Sequence, residues 1–242
     1  MSVTQAGSAP VIVASPATAS LGRGGPTWVS APVEALRRHG PLLGVVAIGA
    51  VVRLWALEEV GFNSDEAVYA GQAAHLAGDP VLSELFPLFR AHPMLFHSAL
   101  SLIHMFGGGD VAARAFVAVL GVATLVVVFE LGRVLYDRRV GLVAAMLLAV
   151  MPYHVGVSRL VLLDAPMVFL ATATLLALAR FVIARSPRLL LIAGLLLGLT
   201  QLSKMSWLFL CGLWPLLGLA WQASGGRQPP ETSRKRQLPQ LA

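Results

Sequence analysis

The sequence predicts an all-α, polytopic transmembrane protein with about six membrane-spanning helices. Of its 242 residues, 57% are hydrophobic and 12% are charged, and the mean hydropathy is +0.75. Soluble domains carry about twice that charged fraction. Several apolar runs approach or exceed about 18 residues, the length at which a helix begins to cross a bilayer core. Helices are favoured because a spanning helix pairs its own backbone groups in lipid.

The predicted spans follow the apolar runs in order. They cover, approximately, residues 41–58, 112–135, 140–157, 165–184, 189–203 and 206–222. Two shorter helices, at residues 65–77 and 94–106, are expected between the first two spans and along the outer face. The second of them has only about 13 residues, which is too short to cross comfortably. Ser64 is the candidate N-cap of the first, with Asp65 and Glu66 in its opening turn.

Composition divides the chain into three parts. Residues 1–40 are rich in Ala, Ser, Pro and Gly and are predicted to form a disordered cytoplasmic tail. Residues 41–222 form the membrane-embedded module, and residues 223–242 form a second, polar and basic tail. Cys211 is the one cysteine of the sequence, so no disulfide can form within it.

The charges predict how the chain is threaded. With the N-terminus inside, most of the 18 Lys and Arg residues lie in the tails and in two short inner loops, and most of the 12 acids lie near the outer face. The positive-inside rule therefore predicts a multi-pass plasma-membrane protein with both termini in the cytoplasm. Orientation and contact with anionic membrane lipids explain the basic excess, so no nucleic-acid partner is expected.

Opposite charges from three segments reach the predicted outer surface. Asp65 and Glu66 follow the first span at the membrane–water boundary. A charge that stays close to lipid needs a reason, and a lipid-linked substrate presents its headgroup at that depth. Arg159, Asp164 and Lys204 lie on two later segments that return to the same side. These residues are the candidates for a site at the membrane surface.

These residue types suit the transfer of a sugar that is attached through phosphate to a polyprenyl lipid. The leaving phosphate needs fixed cations, which Lys204, Arg159 or Arg90 can supply. The attacking hydroxyl needs a carboxylate base, which Asp65 or Glu66 can supply. A single displacement of this kind inverts the anomeric carbon. Because the cations carry the charge and no metal-ligand cluster is visible, neither a metal nor another cofactor is predicted.

Each of these features also has a structural interpretation that the sequence leaves open. Asp65 and Glu66 can be the acidic first turn of a surface helix. Arg159 and Asp164 can form an ion pair that ties two span ends together. Lys204 can simply extend to the interface, as lysines at span ends do.

Several short motifs, in order along the chain, carry a resemblance to a known family. They are Arg53-Leu54, Asp65-Glu66-Ala67-Val68-Tyr69-Ala70, His92-Pro93, the basic loop Gly132-Arg133-Val134-Leu135-Tyr136-Asp137-Arg138-Arg139, Ser158-Arg159 with Leu163-Asp164, and Leu202-Ser203-Lys204. Together they resemble family 39 glycosyltransferases of the membrane-embedded C superfamily. That superfamily includes protein O-mannosyltransferases and the lipid A aminoarabinose transferase.

The resemblance implies a membrane glycosyltransferase. It would move a sugar from a polyprenyl-phosphate donor to a hydroxyl acceptor on a protein, lipid or glycan at the outer face. By position, Asp65 matches the family's loop acid, which acts as base or binds the acceptor, and Glu66 stands beside it. Asp164 matches a second acid of the site, and Lys204 matches a contact to the donor phosphate. His92 is a candidate for the substrate pocket.

Departures from the family pattern keep a second interpretation open. Met94 and Met205 replace a Pro and a Gly that are common in the family. Family members usually have more spans, and later spans help to close their donor cavity. The alternative is a non-catalytic or truncated membrane subunit that keeps the fold without the activity and has a second membrane subunit as partner.

Overall fold

The computed structural model describes residues 27–59, 61–88 and 92–205, with side chains from residue 39 onward. Arg90, the predicted span at 206–222 and the C-terminal tail lie outside these residues. Within them the regular structure is helical, which confirms that the fold is all-α, as predicted. The helices are α1 Thr27–Leu54, α2 Ser64–Leu76, α3 Pro80–Leu85, α4 Leu95–Met105, α5 Asp110–Leu135, α6 Arg138–Val150, α7 Pro152–Val157, α8 Asp164–Ala184 and α9 Pro187–Ser203.

The contacts between residues divide the chain into two units, at residues 1–39 and 40–242. Of the first unit, the described part is the beginning of α1. This helix starts at Thr27, inside the segment predicted as a tail. The stretch Glu34-Ala35-Leu36-Arg37-Arg38 consists of strong helix formers, which accounts for the early start.

Among the described residues, two helices are long and apolar enough to cross a membrane. They are α5, with 26 residues and a hydropathy of 2.4, and α8, with 21 residues and a hydropathy of 2.2. The apolar helices α4 and α9, and the part of α1 at His39–Leu54, are shorter. Arg180 near the end of α8 donates to Glu130 near the end of α5, at 2.8 Å, so these two helices run in the same direction. The predicted count of six spans is not established by the described residues.

The predicted span at 140–157 is two helices rather than one. α6 ends at Val150, Met151 is extended (φ −63°, ψ 116°), and α7 begins with Pro152. A proline disfavours the helical conformation of the residue before it and has no N–H to give. With 13 residues, α6 is about 20 Å long, which is less than the thickness of a bilayer core.

Two clusters of buried apolar residues hold the helices together. The first joins α2, α4 and α5 to the segment that leads into α8, and consists of Ala70, Ala73, Phe96, Leu100, Ala113, Val117, Val161, Leu163 and Ala165. The second joins α1, α5 and α6 through Val45, Leu125, Phe129, Ala145 and Ala149. At the far end of α5, glycine permits close packing, because a Cβ on Gly132 would lie 2.6 Å from the Cα of Gly141.

Candidate active site

The N-terminus of α2 is fixed by a capping box. The side chain of Asn63 accepts the backbone N–H of Glu66 at 2.9 Å, and the Glu66 carboxylate accepts the N–H of Asn63 at 3.2 Å. The N-cap is therefore Asn63, and the prediction of Ser64 was wrong by one residue. Both residue types cap helices well, but the reciprocal bond needs Glu at the third helical position, and only Asn63 has it there. Asp65 and Glu66 lie in the first turn, as predicted.

Glu66 forms a buried, bidentate ion pair with Arg114 of α5. Nε and Nη2 of Arg114 each donate to a carboxylate oxygen at 2.9 Å. The side chains are 1% and 5% exposed. The carboxylate also accepts the backbone N–H of Val161 at 2.9 Å. Two parallel bonds between a guanidinium and a carboxylate are the strongest ion-pair geometry that proteins use.

Arg114 extends this network to the chain that leaves α1. Its Nη1 donates to the carbonyl of Leu57 at 2.7 Å, and its Nη2 donates to the carbonyl of Gly61 at 3.1 Å. The guanidinium also lies over the ring of Phe62, 4.9 Å from its centre. One ion pair therefore ties α2 and α5 to the end of α1 and to the segment before α8.

The network keeps Glu66 ionised. Burial alone raises the pKa of Glu66, but the Arg114 guanidinium and the backbone N–H groups of Val161 and Asn63 outweigh it and lower the pKa below 4.5. A carboxylate so well satisfied has no reason to take a proton from a substrate. The geometry assigns Glu66 a positioning role.

Asp65 stands next to Glu66 and has a contrasting environment. Adjacent helical residues point about 100° apart, so when Glu66 faces the interior its neighbour can face outward. Asp65 is exposed, and it makes no hydrogen bond or ion pair with any described residue. The carboxylate of Asp65 is therefore open to a ligand, and buried Glu66 fixes the first turn of α2, in which Asp65 lies.

Lys204 and Asp164 form a second ion pair. Nζ of Lys204, which directly follows α9, donates to the Asp164 carboxylate at 2.8 Å. The side chains are 25% and 28% exposed, so solvent or a ligand can reach both. Asp164 begins α8, where a carboxylate is favourable.

Tyr69 lies beside both sets of charges. Its ring packs edge-on against His92 at 6.1 Å and His97 at 5.5 Å between ring centres. Burial and the charges of Asp65 and Asp164 raise the pKa of the Tyr69 phenol, while the nearby charge of Lys204 opposes them. The charges of exposed side chains are largely screened beyond about 10 Å. Four of the residues predicted from the sequence, Asp65, His92, Asp164 and Lys204, thus surround this one side chain.

Arg159 has a different environment. Its Nη1 donates to the carbonyl of Val52 at 2.7 Å and its Nη2 to that of Ala56 at 3.3 Å, at the end of α1. The Arg159–Asp164 ion pair that the sequence left open is not among the contacts of the described residues, because Asp164 pairs with Lys204. Arg159 is also not among the charges that act on Tyr69.

An apolar cavity lies close to the Lys204–Asp164 pair. It has a volume of about 150 Å³, and its walls come from α4, α5, α8 and the end of α9. The lining side chains include Phe96, Phe116 and Phe169. Its wall includes Ser203, the residue before Lys204, and Pro166, two residues after Asp164. Charged groups and an apolar space therefore adjoin each other.

Sequence reasoning gave no role to three of the residues that shape this region. Tyr69 and Arg53 occur in two of the sequence motifs, where no role is predicted for them, and Arg114 lies in none of the motifs. An arginine inside an apolar helix is itself a signal, since it must be paired or hydrated there. Among the described residues, no three His, Cys, Asp or Glu side chains lie close enough to hold a metal ion.

The described residues form a helical protein with membrane-capable helices and charged groups gathered beside an apolar cavity. A model of the family described as dolichyl-phosphate-mannose-protein mannosyltransferase matches residues 91–222, more than half of the sequence. The chain belongs to this family, which confirms the resemblance seen in the sequence. The family is one of membrane glycosyltransferases of the mannosyltransferase type. No curated protein matches the chain. The matched region includes His92, Arg159, Asp164 and Lys204 and begins after Asp65 and Glu66.

Proposed function

We propose that this chain transfers a sugar from a polyprenyl-phosphate donor to a hydroxyl acceptor at the outer membrane face, with inversion and without a metal. One observation carries the proposal. The carboxylate of Asp65, which has no partner among the described residues, and the accessible ion pair Lys204–Asp164 lie near Tyr69 and beside an apolar cavity. Such a set offers a base, a cation for phosphate and space for a lipid chain.

The reaction is a single displacement. Asp65 accepts the proton of the acceptor hydroxyl as its oxygen attacks the anomeric carbon of the sugar. The bond between that carbon and the phosphate oxygen breaks, and its electron pair leaves with the polyprenyl phosphate. Lys204 stabilises the charge that grows on the phosphate. The anomeric carbon is inverted, and the proton remains on Asp65 until solvent removes it.

The other residues support this step. Asp164 holds Lys204 in place before the donor arrives and can then accept a hydrogen bond from a sugar hydroxyl. His92 borders the same place through its contact with Tyr69. We assign Arg159 to the scaffold, because both terminal nitrogens of its guanidinium already donate to carbonyls of α1.

The part of the donor lipid that is next to the phosphate suits the apolar cavity. A polyprenyl chain is uncharged, and the side chains that line the cavity are apolar except for Ser203. Because the cavity adjoins the Lys204–Asp164 pair, a chain lying in it places its phosphate at the cation. This supports a lipid-linked donor over a soluble nucleotide sugar, whose base and ribose need hydrogen-bonding partners.

The outer-face location follows from charge. α5 and α8 both begin with an acid and carry arginine near their ends, at Arg133 and Arg180. The positive-inside rule puts the arginine ends in the cytoplasm and the ends at Asp110 and Asp164 outside. We extend this to a multi-pass plasma-membrane protein with both termini inside, in which residues 41–222 form the catalytic module between two tails.

The test is donor binding by the full chain in lipid nanodiscs. Polyprenyl-phosphate mannose is titrated against wild type, Lys204→Ala and the control Arg188→Ala, which removes an exposed cation at the other end of the helices. We expect saturable binding that Lys204→Ala weakens at least tenfold and Arg188→Ala leaves unchanged. Turnover with an acceptor should then be lost in Asp65→Asn and kept in Asp110→Asn, which neutralises another exposed acid.

Two results would contradict the proposal. Folded wild-type protein that does not bind the donor would favour the alternative, a membrane subunit that keeps the fold without the activity. Binding that survives Lys204→Ala would remove the phosphate from the place that we assign to it.

A further inference from the structure

We infer that Tyr69 binds the sugar of the donor, through its phenolic hydroxyl, between the base and the phosphate. The inference rests on the proposed function and adds to it a residue that determines how the sugar is held. Tyr69 is on the same face of α2 as Asp65, one helical turn further on.

The ring of Tyr69 is fixed in place from several sides. It packs against the buried cluster that contains Leu163 and Ala165, the two neighbours of Asp164 in the chain. His92 and His97 contact it edge-on, with ring planes inclined at 71° and 79°. A side chain whose ring is held by packing places its polar end reproducibly, which is what a binding residue requires.

His97 is the unusual partner in this arrangement. It is 1% exposed, and neither ring nitrogen makes a hydrogen bond of good geometry in the described part of the chain, although the backbone of Pro93 acts on the ring and raises its pKa. Burial and the neighbouring His92 lower the pKa of His97 to about 4, so the imidazole is uncharged at neutral pH. Buried polar groups without partners are rare because they are costly. The edge-on contact with Tyr69 gives this buried ring a packing role.

The hydroxyl of Tyr69, unlike the ring nitrogens of His97, is close to charged groups. It makes no hydrogen bond with another described residue. The raised pKa of Tyr69 keeps the phenol protonated, so it can both donate and accept a hydrogen bond. Ionised Asp65 and Asp164 can only accept, and Lys204 can only donate. Sugar hydroxyls need both kinds of partner.

The displacement geometry selects the sugar over the phosphate. In an in-line transfer the sugar lies between the attacking oxygen, which is at Asp65, and the leaving phosphate, which is at Lys204. Tyr69 is close to both residues. The phosphate already has Lys204, whereas the carboxylates of Asp65 and Asp164 give the sugar acceptors and no donor.

The test separates the sugar from the lipid phosphate. Wild type, Tyr69→Phe and Tyr136→Phe are titrated in nanodiscs with polyprenyl-phosphate mannose and with polyprenyl phosphate that carries no sugar. Tyr136 follows α5 and is 74% exposed, which makes it the matched control. We expect Tyr69→Phe to bind the sugar-bearing lipid about 3- to 10-fold more weakly, the effect of one hydrogen bond. Its binding of the bare lipid phosphate should equal that of wild type.

The outcomes are distinguishable. Equal affinities of wild type and Tyr69→Phe for both lipids overturn the inference and leave the proposed function standing. An equal loss for both lipids also overturns it, because the hydroxyl then serves the phosphate. If folded wild type binds neither lipid, the proposed function fails and the inference fails with it. Thermal unfolding of Tyr69→Phe, expected to match wild type, shows that the fold is kept.

Discussion

The substitution Glu66→Gln should destabilise the fold strongly. It leaves the Arg114 guanidinium buried, 5% exposed, without the carboxylate that two of its nitrogens contact at 2.9 Å. Breaking a buried ion pair by removing one partner costs about 3 to 5 kcal/mol, because the remaining charge is uncompensated. The amide of glutamine can still accept from the N–H of Val161. We therefore expect a loss of about 3 kcal/mol of unfolding free energy, measured by denaturant titration in mixed micelles.

A matched control is available at the other end of α5. Glu130 accepts from Arg133 at 2.6 Å and from Arg180 at 2.8 Å, but the arginine side chains are 41% and 43% exposed. Exposed pairs contribute about 0 to 1 kcal/mol, so Glu130→Gln should lie within about 1 kcal/mol of wild type. The double variant Glu66→Gln with Arg114→Met also removes the guanidinium charge, but it takes away the bonds to the Leu57 and Gly61 carbonyls, so only part of the stability should return.

The same pair predicts how stability depends on pH. The folded-state pKa of Glu66 is lowered below the 4.5 of the free side chain. Its contribution is therefore complete above pH 4.5 and is lost as the pH falls through the lower, folded-state pKa. Between these values the unfolding free energy of wild type should fall more steeply than that of Glu66→Gln. If the two slopes coincide, or if Glu66→Gln is as stable as Glu130→Gln, the account of the network is wrong.

Three further predictions concern the helices and the site. Asp164→Asn removes the carboxylate that competes with a phosphate for Lys204. Because this ion pair is about a quarter exposed, we expect polyprenyl phosphate without sugar to bind only about two- to fivefold more tightly. Unchanged or weaker binding in the nanodisc titration would contradict this competition. His97→Phe keeps an aromatic ring and removes two unpaired buried nitrogens, so thermal unfolding should show a gain of about 1 kcal/mol, and a loss would show that the nitrogens are satisfied. Gly132→Ala puts a Cβ against the backbone of α6 and should lower the free energy of unfolding by about 1 to 3 kcal/mol, measured by denaturant titration. In the control Gly194→Ala the Cβ meets no atom within 4 Å, so the free energy of unfolding should not fall.

Hydropathy predicted the helices well and their ends less well. The long apolar runs became α5 and α8 because each has a single apolar stretch bounded by charges. The prediction of one helix at 140–157 was wrong because hydropathy takes no account of Pro152. This residue has no N–H, so the backbone hydrogen bonds of α6 end there. The helix α3 was missed, although Asp79 followed by Pro80 is an N-cap signal, and the Asp79 carboxylate does accept two backbone N–H groups there at 2.9 Å.

The separate roles of Asp65 and Glu66 could not be read from the sequence. Both are acids in a first helical turn, and composition treats them alike. Which of them faces inward depends on the rotation of α2 about its axis, and Arg114, 48 residues further along the chain, is the partner that meets Glu66. The sequence predicted that Lys204 and Asp164 lie on the same surface. It could not predict their 2.8 Å contact, which depends on how α8 and α9 pack.

Arg53, Arg114 and Arg159 share one structural task. Pro152 has no N–H for the carbonyl of Leu148 four residues earlier, and Nη2 of the fully buried Arg53 donates to that carbonyl at 3.1 Å. Its Nη1 donates to the next carbonyl, of Ala149, at 2.9 Å. Arg159 and Arg114 do the same for carbonyls between Val52 and Gly61, where α1 ends. Carbonyls at helix ends have no partner within the helix, and water is scarce close to lipid. The guanidinium groups are long and have several donors, so each can satisfy two or more of these carbonyls. Lys204 instead donates to the Asp164 carboxylate, which a ligand can replace. This difference is why we place the donor phosphate at the lysine and not at the arginines.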